Sequence, residues 1–208
     1  MDQPRIPNSL SKVSFSTLLE IEDPEIYQSD LSQEVFEEIT LQRLQIAQSR
    51  FNNLAVLNSN LEKIELIDVV FTNCDFSNSD LSKCYTNRVR FEGCKFLGTK
   101  FPESYFNHTV FNECNLSLSM FEGSMQQTVT YETSNLEGAD FYQQGFKGVA
   151  FHGCSLESAN FEGTLLKGID FSSNDFAQLT VDLDKMKGAT ISEEQTRLFI
   201  NKLGIKVK

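Results

Sequence analysis

The sequence predicts an all-β solenoid, in which short extended segments and tight turns alternate along one coil. The first indication is a five-residue repeat: from Leu31 to Ile191, every fifth residue is apolar except Thr86 and Gln126. The second is the glycine found two residues after many of these apolar positions, and the third is the recurrence of like residues every 20 positions. A helix predicts apolar residues about every 3.6 positions and a flat strand every 2, so neither explains a period of five.

The large apolar position of each repeat is predicted to form the core, and 16 of the 18 phenylalanines occupy it. Two residues earlier stands a slim side chain, such as Val69, Cys74 or Ser79, and the residue between is often charged. Alternation by two places the slim and the large side chain on the same side of a short extended segment. The predicted core includes Phe71, Phe91, Phe111, Phe141, Phe151, Phe161 and Phe171.

The glycines are predicted to form the turns. Nine of the 11 glycines lie two residues after a large apolar position, from Gly93 to Gly188. Such a position suits a turn residue with positive φ, where glycine has no steric cost. Because like residues recur every 20 positions, as Val69, Val89 and Thr109 do, four repeats are predicted to form one square coil. Eight coils stacked at the inter-strand spacing make a rod of about 38 Å.

Individual repeats resemble those of a known family. Residues 74–78 (CDFSN), 139–143 (ADFYQ) and 159–163 (ANFEG) are similar to the A-(D/N)-(L/F)-x-x repeat of pentapeptide-repeat proteins. The resemblance covers about four fifths of the chain. It implies a right-handed quadrilateral β-helix of about eight coils, which we assign to residues 29–191.

Composition limits the partners. The chain has 208 residues, which fits one domain, and a formal net charge of −11. Direct binding to DNA phosphates is therefore disfavoured and basic partners are favoured. There is no apolar run long enough to span a bilayer and no signal peptide in the first 30 residues, so a cytoplasmic location is expected. The five cysteines take slim inward positions and are expected to be buried thiols, with a Cys74–Cys94 disulfide as the alternative.

The N-terminal residues 1–28 do not keep the repeat and are predicted to cap the solenoid. An open first coil needs such a cap because an unpaired edge invites association. The side chains expected to pack over that coil are Val13, Phe15, Leu18 and Leu19.

Thr86 and Gln126 interrupt the apolar repeat on the same face of the predicted coil, 40 residues apart. One interpretation is that local hydrogen bonds accommodate each polar side chain. The other is an outward bulge for a partner, formed by Met125, Gln126 and Gln127. The frame of five is kept through this segment, so no large loop is expected unless its length is a multiple of five.

The C-terminal segment, residues 192–208, is predicted to contain a helix. Ser192 and Gln195 form a capping box, and about 11 helical residues are expected to follow, closed by Gly204. The helix could cap the last coil, make a two-fold contact between copies, or do both. The residues predicted to mediate dimerisation are Ile191, Leu198, Phe199, Leu203 and Ile205.

This tail, with residues 165–174 before it, resembles the ends of chromosomal Qnr proteins of Gram-positive bacteria. Those are pentapeptide-repeat proteins that engage DNA gyrase and topoisomerase IV, relieve quinolone inhibition and dimerise tail to tail through this helix. The resemblance implies a homodimer with these two enzymes as partners. Because the frame of five is unbroken, the chain is expected to lack the loops that project from the coil of plasmid-type Qnr proteins.

No catalytic, cofactor-binding or metal-binding site is predicted. The two histidines, His108 and His152, fall at outward turn positions, and no phosphate-binding loop or metal-ligand spacing is present. Side chains are expected to fill the interior, which leaves no room for a substrate pocket. We therefore expect a protein that acts through its surface and is not an enzyme.

The predicted surface is acidic. Residues 101–166 contain eight Asp and Glu but only one Lys or Arg, Lys147. These carboxylates could simply keep the rod soluble, or they could imitate the phosphates of duplex DNA. The favoured hypothesis is a non-catalytic DNA mimic that binds a type II topoisomerase and lowers quinolone susceptibility; a structural or adaptor module for an unrelated partner is the alternative. The predicted partner-binding residues are Glu122, Glu137, Asp140, Glu157, Glu162 and Asp182.

Overall fold

The computed structural model describes residues 1–14, 16, 21 and 23–204. This part of the chain contains short strands throughout and one helix near its end. The elements are β1 (Ser11–Lys12), β2 (Glu25–Tyr27), β3 (Ser29–Ser32), β4 (Val35–Glu37), β5 (Gln45–Asn52), β6 (Ala55–Leu57), β7 (Glu65–Thr72), β8 (Tyr85–Glu92), β9 (Tyr105–Asn112), β10 (Met125–Glu132), β11 (Gly145–Lys147), β12 (Ala150–His152), β13 (Ala159–Asn160), β14 (Leu179–Thr180) and α1 (Thr196–Lys202). The described part of the chain has no helix with the length and apolar character needed to cross a membrane.

The strands form a parallel solenoid with a coil of 20 residues. Neighbouring strands pair in register at that offset, for example Phe71 with Phe91 and Phe91 with Phe111. Isolated bridges continue the same offset on the other faces, as far as Asp170 with Thr190. The predicted coil of four repeats is thus confirmed, and the stack contains about eight coils. Five long strands, β5 and β7 to β10, each span eight residues and so cover two successive repeats.

The interior is a set of stacked columns. In one column, Phe71, Phe91, Phe111 and Tyr131 have ring centroids 4.9–5.2 Å apart between consecutive coils, with nearly parallel planes. Such aromatic pairs add about 0.5–1.5 kcal/mol each to the stabilisation from burial. The seven phenylalanines that the sequence assigns to the core are at most 3% exposed: Phe71, Phe91, Phe111, Phe141, Phe151, Phe161 and Phe171.

The slim inward residues carry out a second task, because many of them bind a carbonyl oxygen of the preceding coil. The hydroxyls of Thr99, Ser124 and Thr164 donate to the carbonyls 23 residues earlier, at 2.7–2.8 Å. The Cys94 and Cys114 thiols make weaker contacts of the same kind, 3.4–3.5 Å long. Hydrogen bonding of this kind allows small polar side chains to be buried at little cost.

The first residues of the chain lie along the side of the solenoid. β1 pairs with β3 beside the first coil, and the amides of Asp2 and Arg5 donate to His108 Nδ1 and Asp68 Oδ1, each at 2.9 Å. Of the predicted cap residues, Val13 is exposed; Phe15, Leu18 and Leu19 lie outside the described residues.

The coil also starts earlier than the predicted boundary at residue 29. β2 pairs with β5 at the 20-residue offset, and Asp23 and Gln28 have the φ of turn residues. The sequence underestimates the solenoid here because Pro24 stands at the slim position of this repeat, although Ile26 keeps the large apolar position and is buried.

The C-terminal helix is shorter than predicted. The capping box is present, with Gln195 N donating to Ser192 Oγ at 3.3 Å and Ser192 N donating to Gln195 Oε1 at 2.9 Å. However, α1 has seven residues instead of about 11. The bonds from Thr196 N to Glu193 O and from Leu198 N to Gln195 O span three residues, so the first turn is tighter than an α-helix. Gly204 has a φ of +73°, as expected at the helix end.

The helix covers the last coil. Phe199 is buried and its ring meets that of Phe176 edge-on, with the centroids 6.5 Å apart. Gln195 Nε2 also donates to the carbonyls of Phe171 and Asn174, which ties the capping box to the coil below it. The helix therefore closes the apolar interior.

Candidate partner-binding surface

The six carboxylates predicted to bind a partner lie on one face of the solenoid, five of them along its edges and Asp140 at its centre. We define the acidic face as residues 117–122, 137–142, 157–162 and 177–182, which are consecutive coils of the same face. The register Met120–Asp140–Asn160–Thr180 runs along its centre. Glu122, Glu162 and Asp182 follow one edge, and Glu137 and Glu157 follow the other. The 20-residue offset thus brings together residues that are up to 60 positions apart in sequence.

Three of these carboxylates are exposed and unpaired. Glu122, Glu137 and Glu162 are all exposed, and the described part of the chain provides no lysine or arginine within ion-pair distance of them. They are therefore the members of the face that remain available to a partner.

The other three carboxylates hold turns of the coil together. Asp140 accepts from Tyr142 N at 2.9 Å and from Asn160 Nδ2 at 3.0 Å. Glu157 accepts from the Ala177 amide at 2.6 Å. Asp182 accepts from the Gly163 amide at 2.9 Å and lies 3.8 Å from Lys185 Nζ. Substituting these residues would disturb the coil as well as the surface charge.

The acidic face lies in the unbalanced half of the rod. Residues 101–180 contain ten Asp and Glu and two Lys. Six of the seven ion pairs within the described residues lie in the earlier half, between Asp23 and Lys95. Negative charge is therefore compensated in the first coils and uncompensated in the later ones, which strengthens the attraction for basic partners.

The outward bulge considered for Met125, Gln126 and Gln127 is not formed. β10 keeps an unbroken register with β9 through these three residues, and the Gln126 side chain is buried. Its amide accepts from Tyr131 Oη at 3.1 Å and donates to Gln144 Oε1 at 3.2 Å. Burial raises the pKa of the Tyr131 hydroxyl, which stays a neutral donor. Thr86 is likewise buried, with its hydroxyl 2.7 Å from that of Thr109. Local hydrogen bonds explain both interruptions.

The predicted dimerisation residues divide into two groups. Ile191, Leu198 and Phe199 pack against the core of the last coil, so their side chains serve the cap. Leu203 is 61% exposed and remains open to a second copy, whereas Ile205 lies outside the described residues.

Two features of the surface were not predicted. The first is a group of exposed apolar side chains, Leu97, Leu118 and Met120, on and beside the acidic face. The sequence could have indicated this group, because these residues take outward positions of the repeat, where the core does not require an apolar side chain. The second is the attachment of residues 2–5 to the side of the coil, for which the sequence carries no signal.

The side chains with nucleophilic or metal-binding chemistry are dispersed. Hydrogen bonding with the neighbouring thiol and burial raise the pKa of Cys74, and burial raises the pKa of Cys84 to about 12, so both remain protonated thiols. All five cysteines are unbridged, Cys74 and Cys94 included. Within the described ranges, three or more His, Cys, Asp or Glu do not converge into a potential metal site.

A parallel solenoid of five-residue repeats, with a left-handed turn residue in every repeat from Asp23 to Gly168, defines a class of β-helical repeat proteins. The family models "Pentapeptide repeats (8 copies)" and "Pentapeptide repeat region" match residues 58–85 and 85–161. Together these matches span half of the chain, and the protein belongs to the pentapeptide-repeat family.

Several solved structures are similar to this chain. A trypsin-treated variant of QnrB1, a plasmid-mediated fluoroquinolone resistance protein, is 18% identical with a TM-score of 0.47, and the match covers 85% of this chain and 99% of that one. HetL, which is involved in regulation of heterocyst differentiation in the cyanobacterium Nostoc, is 13% identical with a TM-score of 0.38, over 82% and 90% of the two chains. A comparison with curated proteins finds no match.

Proposed function

We propose that this protein is a non-catalytic DNA mimic that binds a type II topoisomerase, DNA gyrase or topoisomerase IV, in the cytoplasm and lowers quinolone susceptibility. Two observations support the choice of partner. The acidic face favours a basic, DNA-binding surface, and the C-terminal segment is similar to that of chromosomal Qnr proteins. A homodimer formed through the C-terminal helix is part of the proposal.

The observation that carries the proposal is the set of unpaired glutamates on the two edges of a rigid face, Glu122 and Glu162 on one edge and Glu137 on the other. Glu122 and Glu162 lie two coils apart on one edge, a rise of roughly 10 Å at about 4.8 Å per coil, which is close to three successive charge spacings of about 3.4 Å along one DNA strand. The backbone of this face is fixed by inter-coil hydrogen bonds, such as Asp140 N to Ser119 O at 2.8 Å. A cationic surface that neutralises DNA phosphates can therefore meet a pre-arranged set of carboxylates without ordering cost.

The function is tested by adding the purified protein to gyrase and to topoisomerase IV in the presence of ciprofloxacin. Restored supercoiling or decatenation is the expected result. The absence of rescue at tens of micromolar protein, with the drug-free reaction unaffected, would reject the proposed function.

The surface is tested with two triple variants that each remove three negative charges. Glu122→Gln, Glu137→Gln and Glu162→Gln change the acidic face; the control combines Glu65→Gln, Glu113→Gln and Asp175→Asn, which are exposed elsewhere on the rod. We expect the first variant to bind gyrase at least about tenfold more weakly at low salt, because a charge pair contributes through both encounter and contact. The control is expected to stay within about twofold of the wild type in fluorescence anisotropy.

A structural or adaptor role with an unrelated partner remains the second candidate. It is favoured by the exposed Met125 and Leu165 side chains, which lie on a different face and which a charge mimic does not need. Equal gyrase binding by both triple variants would point to this role, since an adaptor using another face is indifferent to the acidic one.

A further inference from the structure

We propose that Leu97, Leu118 and Met120 form an apolar anchor for the acidic face, and that the basic partner surface contacts these side chains as well as the carboxylates. The inference rests on the proposed function and deepens it by naming the contact. It predicts a partner surface in which apolar side chains lie among lysines and arginines.

The three side chains lie at neighbouring positions of two successive coils and are open to solvent. Leu118 is 58% exposed, Met120 44% and Leu97 40%. Leu97 lies one coil below residue 117 by the 20-residue offset, next to Leu118, and Met120 lies two residues further along the same coil. Exposed apolar groups of this kind mark interaction sites when polar residues surround them.

Leu118 stands at a position where it does not benefit the fold. Its φ is +57°, and it is the only large apolar residue among the 30 left-handed turn positions between Asp23 and Gly168. A left-handed conformation costs a residue with a Cβ roughly 1 kcal/mol or more, and an exposed side chain regains little of that by burial. Neither core packing nor turn geometry therefore explains a leucine here.

The next coil leaves room for the Leu118 side chain. A Cβ atom at Gly138 would lie 2.8 Å from Leu118 Cδ2, so the glycine permits the leucine to lean over it. Gly138 also has a φ of +63°. The leucine is thereby directed along the acidic face instead of away from it.

The charges around the three apolar side chains indicate which kind of partner surface binds there. Glu122 and Glu137 are exposed and unpaired within the described residues, and Asp140 is in register with Met120 on the next coil. On the other side, Lys100 is in register with Met120 and marks the lower edge of the acidic region. Charge complementarity therefore favours a cationic protein surface over a neutral apolar one or a second acidic copy of this chain.

The test is the substitution Leu118→Asn, compared with Leu165→Asn as a matched control. Asparagine tolerates positive φ, so the first variant should be at least as stable as the wild type, while its affinity for gyrase should fall about 10- to 30-fold, as at an interface hot spot. Leu165 is 69% exposed but lies on another face, so its variant should bind within about twofold of the wild type. Met120→Gln provides a second variant, for which a similar loss is expected.

The readouts are the dissociation constant by fluorescence anisotropy, the thermal midpoint, and the salt dependence of binding. Charge contacts weaken as the Debye length falls to about 3 Å at 1 M salt, so binding that survives high salt in the wild type and is lost in Leu118→Asn supports the anchor.

Unchanged affinity of Leu118→Asn and Met120→Gln, while the wild type binds gyrase, would overturn the inference alone. An absence of wild-type binding would overturn the proposed function with it. A wild-type dimer that Leu118→Asn dissociates would identify a second copy as the occupant, which also overturns the inference.

Discussion

At the scale of the residue, the turn positions explain the most about this chain. Every fifth residue from Asp23 to Gly168 has a left-handed backbone, and 22 of these 30 positions are not glycine. The glycines predicted a turn with positive φ, but they occupy only eight of the 30 turn positions in this stretch. The geometry is imposed by the stack: the turn amides bind carbonyls of the next coil, as Gly93 N does with Asn112 O at 2.9 Å. Inter-coil hydrogen bonding thus overrides the local preference of the residue.

Thr133 illustrates the cost of this override. It is an exposed, β-branched residue with a φ of +47°. Because a β-branched side chain is disfavoured there and asparagine is tolerated, we expect Thr133→Asn to stabilise the protein by about 0.5–1 kcal/mol. Chemical denaturation followed by circular dichroism measures the change.

The reverse exchange is available one coil away. Gly153 has a φ of +61° and open space around the position of an added Cβ. Gly153→Thr should therefore destabilise by about 1–2 kcal/mol through the backbone alone. If Thr133→Asn and Gly153→Thr changed the free energy of unfolding in the same direction, this explanation of the turns would be contradicted.

The buried polar residues show what residue patterns can and cannot reveal. Gln126 and Gln144 depart from the apolar or slim type expected at their positions, and Gln126 hydrogen-bonds to both Gln144 and the Tyr131 hydroxyl. These two departures, 18 positions apart, were visible in the sequence. Their mutual bonding was not, because it depends on side-chain directions across two coils.

At the scale of the element, the N-terminal segment is held to the coil through Asp68, whose carboxylate also pairs with Arg88 in a nearly buried site. Asp68 is 4% exposed and accepts two hydrogen bonds from the Arg88 guanidinium, at 2.6 and 2.7 Å, and one from the Arg5 amide. Burial opposes ionisation of Asp68, but these hydrogen bonds outweigh it and hold the pKa of the carboxyl below its ordinary value. Val110, which occupies an outward position, is also buried. We infer that the N-terminal segment covers this part of the coil.

We expect Asp68→Asn to destabilise the protein by at least about 2 kcal/mol at neutral pH, because Arg88 loses its carboxylate in a water-poor site. Since the folded-state pKa of Asp68 is lowered, its contribution is fully present above the ordinary carboxyl pKa and is lost as the pH falls through the folded-state value. The difference between wild type and variant should therefore be constant at neutral pH and shrink in strong acid. Thermal midpoints measured as a function of pH test both expectations.

An exposed ion pair serves as the control. Asp23 and Arg43 lie 3.5 Å apart with both side chains more than half exposed. Asp23→Asn should cost less than about 1 kcal/mol, because solvent screens the pair. If Asp68→Asn lowered the free energy of unfolding by no more than Asp23→Asn does, the stabilising role inferred for Asp68 would be contradicted.

At the scale of the whole molecule, the two ends of the rod differ in what they can bind. The C-terminal helix uses Phe199 to close the interior, and among the described residues of that end Leu203 is the exposed large apolar side chain. The proposed homodimer is therefore expected to use Leu203. A contact of a helix face with its own copy suits the two-fold symmetry of most dimers.

We expect Leu203→Glu to convert the homodimer to a monomer, because a buried unpaired carboxylate would oppose the apolar contact. Size-exclusion chromatography with light scattering measures the mass. Leu165→Glu, on a face of the coil, is the matched control and should leave the dimer intact. A wild-type protein that is monomeric at all accessible concentrations would contradict the proposed dimer.

The solenoid, its 20-residue register and its aromatic interior follow from the repeat itself. In such a chain each coil meets only its neighbours, so a constant shift along the sequence becomes a constant contact in space. Which carboxylates of the acidic face are free, and where the first residues attach, became apparent only in the folded molecule. These features depend on single contacts outside the repeat, such as that between Asp2 and His108, 106 positions apart, and a periodic pattern carries no information about them.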